Sequence, residues 1–233
     1  MKPLKNKIIL AVFLALTVVA GIMITQVNVN YDLKQYLPDD SETVEGLDIY
    51  ESEFGTGSYA IVMIEDADVS DALTAEQEIL ELSHVTSVEY LDTVLNQMTF
   101  QTLIANFDAT TQAVLQTQMD NMTNAGYSYP EAFLQLIDYL QTNLPSEYIS
   151  LLEPLVSETE KYYVDGYSKM IVSIDLEQTD LEAETVLDEI IDTLNNDGLT
   201  FYLTGGVVST VFTRNAISSE VLKITLIIVP MIL

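Results

Sequence analysis

Closely spaced carboxylates are the first feature of this chain that could do chemistry. The run Asp66-Ala-Asp68-Val-Ser70-Asp71 has oxygen ligands spaced as at the start of a calcium-binding loop. Such a loop needs glycine at its sixth position and glutamate at its twelfth, where this chain has Asp71 and Gln77. We therefore expect an acidic helix start, which the helix dipole favours, and predict no metal ligands.

The other groups that commonly carry catalysis are scarce or poorly placed. The chain has one histidine, His84, and neither cysteine nor tryptophan. His84 lies between a predicted helix and a predicted strand with no nucleophile nearby, so we expect a solvated turn residue. The run Phe54-Gly-Thr-Gly-Ser58 lacks the later glycine and the lysine of a phosphate-binding loop. Carboxylates as close as Asp188, Glu189 and Asp192 arise by chance in so acidic a chain. We predict no catalytic and no cofactor-binding residues, and no substrate-binding residue can be named.

The charge of the chain is strongly one-sided. It has 36 Asp and Glu against eight Lys and Arg, a net charge of −28. Between residues 28 and 213 the only basic residues are Lys34, Lys161 and Lys169. This composition excludes nucleic acid as a partner and argues against docking on anionic lipid headgroups. It suits a solvated, exported surface, and the alternative is an attraction for cations.

Residues 8–25 are eighteen apolar or uncharged residues preceded by three lysines. As a helix they would span about 27 Å, close to the hydrocarbon thickness of a bilayer. The lysines place the N-terminus in the cytoplasm. A cleaved secretory signal ending near Ala20 is the alternative, but the apolar run continues through Ile24, which favours an uncleaved anchor. Either way, the following residues are exported, and with the uncleaved anchor the lipid bilayer is a partner.

The apolar pattern predicts an α+β fold in which two β-α-β units flank a helical insertion. The predicted elements are strands at 59–64, 85–91, 167–175 and 200–203, and helices at 42–54, 71–82 and 180–194. Residues from about 93 to 160 have helical spacing throughout, which predicts three or four helices. The two β-α-β units are expected to form one four-stranded, ferredoxin-like sheet with helices on one face.

This pattern divides the chain into three predicted regions. Residues 1–27 are a cytoplasmic N-terminus and first transmembrane helix, residues 28–213 an extracytoplasmic domain, and residues 214–233 the truncated start of a second transmembrane helix. The final apolar run, 224–233, is too short to cross a bilayer, so we expect the chain to be a fragment. Met98, Met119 and Met122 could line an adaptable groove in the insertion, although ordinary helix packing is the expected role.

The layout resembles the first third of a resistance–nodulation–division superfamily transporter. It is most similar to the branch called mycobacterial membrane protein large (MMPL) and its hydrophobe/amphiphile exporter relatives. The matching points are Asp32-Leu33 with Leu37-Pro38 after the first span, Phe54-Gly55 before the first strand, and Thr204-Gly205 after the last strand. In this order they cover essentially the whole chain.

The resemblance implies a multi-pass cell-membrane protein that is a transporter and not an enzyme. It would export lipid-like, amphiphilic or hydrophobic substrates by proton-driven efflux, with residues 28–213 as a porter domain outside the cytoplasm. Partners would be the substrate, the remainder of the transporter and, in a homo-oligomer, further copies. The proton relay of the family lies on later helices, so none of its residues can be assigned here. The helical insertion departs from the minimal porter pattern and is expected to confer substrate or partner specificity.

A two-span membrane-anchored sensor is the alternative function. Its exported ligand-binding domain would also lie between two transmembrane helices. The long insertion and the doubled β-α-β unit favour the transporter, since sensor domains of this kind more often have a long antiparallel sheet.

Overall fold

The computed structural model describes residues 57–143 and 146–232, together with residues 9, 12–13, 15–16, 19, 37–38 and 41–46. The chain divides into two compact units, one of Met1–Ile49 with Thr210–Leu233 and one of Tyr50–Ser209. The second unit contains a mixed α+β domain, which confirms the predicted fold class at this level.

A five-stranded antiparallel sheet forms the centre of this domain. Its strands are β1 (Ser58–Glu65), β2 (Val85–Glu89), β3 (Tyr163–Val164), β4 (Tyr167–Ile174) and β5 (Thr200–Thr204). The order is β2-β4-β1-β5, and β3 pairs with the first residues of β4. Because β4 is antiparallel to both β1 and β2, the two strands of the first β-α-β unit run parallel with β4 between them.

Two helices cover one face of the sheet. They are α1 (Val69–Leu80), which contacts β2 and β4, and α7 (Glu182–Asn196), which contacts β5; the two helices also contact each other. Alternate residues of β1 and β4 are buried beneath them, as the period of two in a strand requires. The core includes Ala60, Val62, Ile64, Met170, Val172 and Ile174 from the sheet, with Ile79, Leu187 and Ile190 from the helices.

The insertion between β2 and β3 is helical, as its sequence pattern predicts. Its helices are α2 (Leu91–Val94), α3 (Gln97–Ile104), α4 (Ala109–Asn124), α5 (Tyr129–Asn143) and α6 (Ser146–Thr159). Asp108 begins α4 by accepting hydrogen bonds from the amides of Thr110 and Thr111. Phe100 and Phe133 meet edge to face at 5.4 Å between ring centroids, which joins α3 to α5 in a core of their own.

The structure corrects three details of the predicted pattern. The insertion has five helices in the described residues instead of three or four, because the upstream half divides at Leu95 and Ala105. The second strand ends at Glu89, and Leu91 already begins a helix. The two-residue strand β3 was not predicted, so the sheet has five strands instead of four. The elements predicted at 59–64, 167–175, 180–194 and 200–203 are confirmed to within two residues.

The predicted membrane spans fall largely beyond the part of the chain that is described. Six residues of the 8–25 stretch are described, and all six are helical and exposed. Residues 224–232 belong to α8 (Gly206–Ile232), which begins two residues after β5 ends. Among the described residues, no helix combines the length and the apolar composition needed to cross a membrane. The predicted helix 42–54 is observed at 42–46, and its remainder lies outside the described residues.

Candidate functional site

The sheet face opposite α1 and α7 carries large side chains that stay accessible to solvent. Strand register places two groups on this face: Tyr59, Ile61, Met63 and Glu65 from β1, and Tyr167, Lys169, Ile171 and Tyr202 from β4 and β5. We call these eight residues the open sheet face. Tyr59 is 46% exposed, Met63 38% and Tyr202 53%. An apolar and aromatic surface of this kind is a common mark of a binding site.

Glu65 is the centre of a hydrogen-bonded cluster on the open sheet face. The Tyr167 hydroxyl donates to its Oε1 at 2.9 Å, and the Tyr202 hydroxyl donates to its Oε2 at 2.8 Å. The phenols come from the strands on either side of β1, so the carboxylate is held by both neighbours. The two tyrosines follow Glu65 by 102 and 137 positions along the chain. The arrangement holds the carboxylate between two phenolic hydroxyl groups.

Glu65 raises the pKa of both tyrosines in this cluster. The hydrogen bond to Glu65, together with its negative charge, raises the pKa of Tyr167 above the ordinary value for a phenol. The pKa of Tyr202 is raised by the same two causes. Both phenols therefore stay protonated at neutral pH and keep donating to the carboxylate.

Lys169 is the one cation on the open sheet face. Its Nζ lies 5.5 Å from the centroid of the Tyr162 ring, within the range of a cation–π contact. It stands opposite Met63 on β1, and its amide donates to the Tyr162 carbonyl oxygen. The ammonium is thus directed toward Tyr162, while Glu65 takes its hydrogen bonds from the two tyrosines.

A concave site lies where the insertion meets the sheet layer. It is a cavity of about 570 Å³ lined by residues of the α1 start, α5 and β3, which are Asp68, Val69, Glu131, Leu134, Gln135, Asp138 and Tyr163. The Oε2 of Glu131 accepts from the amide and the hydroxyl of Ser128, a capping interaction at the start of α5. Asp68 stands at the N-cap of α1 without a capping hydrogen bond from its side chain. We call this site the acidic cleft.

A buried acid lies beneath the insertion on α1. Glu76 is 6% exposed, and burial raises its pKa to about 8, with the charge of Asp92 and a hydrogen bond to Asp92 adding to the rise. Nearby, Tyr90 is fully buried, and its hydroxyl lies 2.7 Å from the Ser168 Oγ. Burial also raises the pKa of Tyr90. The Glu76–Asp92 pair joins α1 to α2, and the Tyr90–Ser168 pair joins the residue before α2 to β4.

The candidate residues considered in the sequence analysis lie at three separate places in the fold. Asp66 follows β1 directly with φ +53°, and its amide donates to the Gly166 carbonyl oxygen, so the calcium-like run is a strand end followed by a helix start. His84 lies in the turn before β2, where its Nδ1 is 2.8 Å from Asp175 Oδ1. Asp188, Glu189 and Asp192 are exposed on α7.

Within the described ranges, no group of three or more His, Asp or Glu side chains is arranged to hold a metal ion. Two of the methionines considered for an adaptable groove differ in their exposure. Met98 is 81% exposed on α3, whereas Met119 is 1% exposed and packs in the core, the role expected for it. A groove of about 580 Å³ runs beside α4, and its lining includes Val114 and Thr117.

Comparison with protein-family models matches none of them, and comparison with curated proteins finds no similar sequence. The open sheet face and the acidic cleft therefore rest on the geometry of this chain alone.

Sequence reasoning missed the Glu65 cluster and the buried Glu76. A signal for Glu76 exists, because it stands four residues after Ala72 and three before Ile79, on the apolar side of α1. Glu65, Tyr167 and Tyr202 share no local pattern, and only the strand register brings them together.

Proposed function

We propose that this chain is part of a proton-driven membrane exporter of lipid-like, amphiphilic or hydrophobic substrates. In this proposal the Tyr50–Ser209 unit lies outside the cytoplasm and contributes a surface along which the substrate passes. The observation that carries the proposal is the open sheet face, an apolar and aromatic surface left accessible on an otherwise strongly acidic domain. Soluble domains rarely leave such a surface uncovered without a binding role.

The strand order supports the porter-domain interpretation. In β2-β4-β1-β5, each β-α-β unit is split by a strand of the other unit, as in a ferredoxin-like sheet. Thr204 and Gly205 end the sheet, and α8 follows immediately, in keeping with the Thr-Gly point of the transporter resemblance. Because one fold hosts many functions, the substrate path is assigned from the open sheet face and not from the fold.

Export is tested with the native protein in its own cells. Cells that make the protein and cells that lack it are loaded with N-phenylnaphthylamine, a neutral amphiphile whose fluorescence reports retention. We expect faster loss of the dye from cells with the protein, and we expect an uncoupler that collapses the proton gradient to abolish the difference. Equal retention in the two strains would contradict export of such amphiphiles. A signalling response to the dye without any loss of dye would favour the two-span sensor.

A further inference from the structure

We infer that the open sheet face binds amphiphiles with a cationic head group, the head lying at Glu65 and the tail along β1. The inference rests on the proposed function and specifies the substrate class of the same surface. It commits to a small amphiphile and not to a protein partner.

The head-group site is built around the Glu65 carboxylate. Each of its two oxygens accepts one phenolic hydrogen bond, Oε1 from Tyr167 and Oε2 from Tyr202. An ionised carboxylate has about four lone-pair sites, so these two bonds leave acceptor capacity for a ligand. The two tyrosines also bring aromatic rings to the carboxylate, and an ammonium ion is attracted by the face of such a ring. A fixed carboxylate beside aromatic rings suits a quaternary or primary ammonium and repels a sulfate or phosphate.

The tail site lies on the same face toward the start of β1. Met63 and Tyr59 precede Glu65 by two and six residues, so their side chains point to the same side of the sheet. Ile61 faces Ile171 across the β1–β4 pair, which makes the strip between them apolar. From Glu65 to Tyr59 the strand extends about 20 Å, enough for a head group and an alkyl tail along one strand.

The charge of the molecule selects the sign of the ligand. With a net charge of −28, the chain repels anionic amphiphiles and raises the local concentration of cationic ones. The same charge disfavours a second copy of the chain as the occupant, because two acidic surfaces would be brought together. Lys169 on this face is directed toward Tyr162, 5.5 Å from its ring centroid, and so does not neutralise Glu65 directly.

Two methionines provide matched reporters for the test. Met63 lies on the open sheet face, and Met98 is more exposed but lies on α3 of the insertion. The full chain, labelled with ¹³C in its methionine methyl groups, is placed in nanodiscs of zwitterionic lipid. It is titrated with octyltrimethylammonium, octyl sulfate or octyl glucoside. We expect octyltrimethylammonium to shift the Met63 methyl resonance saturably while Met98 stays unchanged, and we expect octyl sulfate to bind at least tenfold more weakly.

Substitutions at the head-group site test its contribution to binding separately from that of the tail site. Glu65→Gln should raise the Kd for octyltrimethylammonium about three- to tenfold, as expected for one half-buried carboxylate with a cation–π contribution, and should leave octyl glucoside unaffected. Tyr202→Leu, which keeps an apolar side chain, should also raise the Kd for octyltrimethylammonium. Asp188→Asn removes the same charge from α7 and should change the Kd by less than twofold. Circular dichroism checks that each variant is folded.

The outcomes distinguish the inference from the proposed function. If all three amphiphiles shift Met63 equally, or if Glu65→Gln behaves like Asp188→Asn, the cationic selectivity is wrong while passage of amphiphiles over this face still stands. If none of the three shifts Met63, both the inference and the substrate surface of the proposed function are contradicted.

Discussion

Glu76 offers the sharpest test of the interior, because replacing one carboxyl group should change how stability depends on pH. Its folded-state pKa of about 8 lies above the value of 4.5 that the unfolded chain provides. Below pH 4.5 the group is protonated in both states, so its titration does not change the free energy of unfolding. As the pH rises from 4.5 to 8, the unfolded state releases its proton while the folded state keeps it. The folded state binds more protons in this window, so its stability falls as the pH rises.

The magnitude follows from the size of the shift. Each pKa unit corresponds to about 1.4 kcal/mol, so a rise from 4.5 to about 8 corresponds to roughly 5 kcal/mol lost above pH 8. At pH 7 the loss is roughly 3 kcal/mol by the same linkage. Glu76→Gln does not titrate, and its amide replaces the protonated carboxyl beside Asp92. The variant should match the parent at pH 4.5 and exceed its free energy of unfolding increasingly toward pH 9.

The assay is urea denaturation followed by far-ultraviolet circular dichroism at half-unit steps from pH 4.5 to 9. Glu78→Gln is the matched control, because Glu78 is exposed on the same helix and its removal changes the net charge equally. The same dependence of unfolding free energy on pH in Glu76→Gln and Glu78→Gln would contradict a raised pKa at Glu76. Asp92→Asn should give a smaller change in the same direction as Glu76→Gln, since Asp92 adds to the shift without being its largest cause.

Three further predictions concern the packing of the domain and are tested by chemical denaturation. Gly205 has φ +114°, and a Cβ there would lie 2.8 Å from the Tyr59 carbonyl oxygen. Gly205→Ala should therefore lower the free energy of unfolding by roughly 2 kcal/mol or more. An unchanged free energy of unfolding would contradict this turn geometry. Tyr90→Phe leaves the buried Ser168 hydroxyl without its partner and should cost about 1–2 kcal/mol, whereas Tyr167→Phe on the open sheet face should cost less. Phe133→Ala should cost about 3–5 kcal/mol, because the ring is fully buried against Phe100, and a loss below 1 kcal/mol would contradict this core.

The elements that the sequence predicts well are those with a clear period. In α7 the apolar positions recur at helical spacing over four turns, and Gly198 with φ +71° follows its end. In β4 every second residue is buried. In both cases the local pattern and the tertiary packing favour the same structure, so nothing in the fold overrides the prediction.

The details that sequence reasoning missed depend on contacts made between distant segments. The strand β3 has two residues, too few for a period, and it exists because Asp165 and Gly166 turn the chain with positive φ back onto β4. The apolar pattern extends the second predicted strand to Leu91, but Leu91 is fully buried in the first turn of α2. The Glu65 cluster needs the register of three strands, which side-chain alternation limits but does not fix.

The central claim, that an exported amphiphile passes over the open sheet face, is tested most directly by blocking that face from outside the cell. This chain contains no cysteine, so Met63→Cys and Met98→Cys variants of the native protein introduce one thiol each into it. A membrane-impermeant maleimide carrying a bulky polymer is applied to intact cells, with the unsubstituted protein as the background control, and loss of N-phenylnaphthylamine is then measured. We predict that both positions are labelled, and that labelling at Met63→Cys slows export while labelling at Met98→Cys does not. Unchanged export after complete labelling at Met63→Cys would contradict the claim.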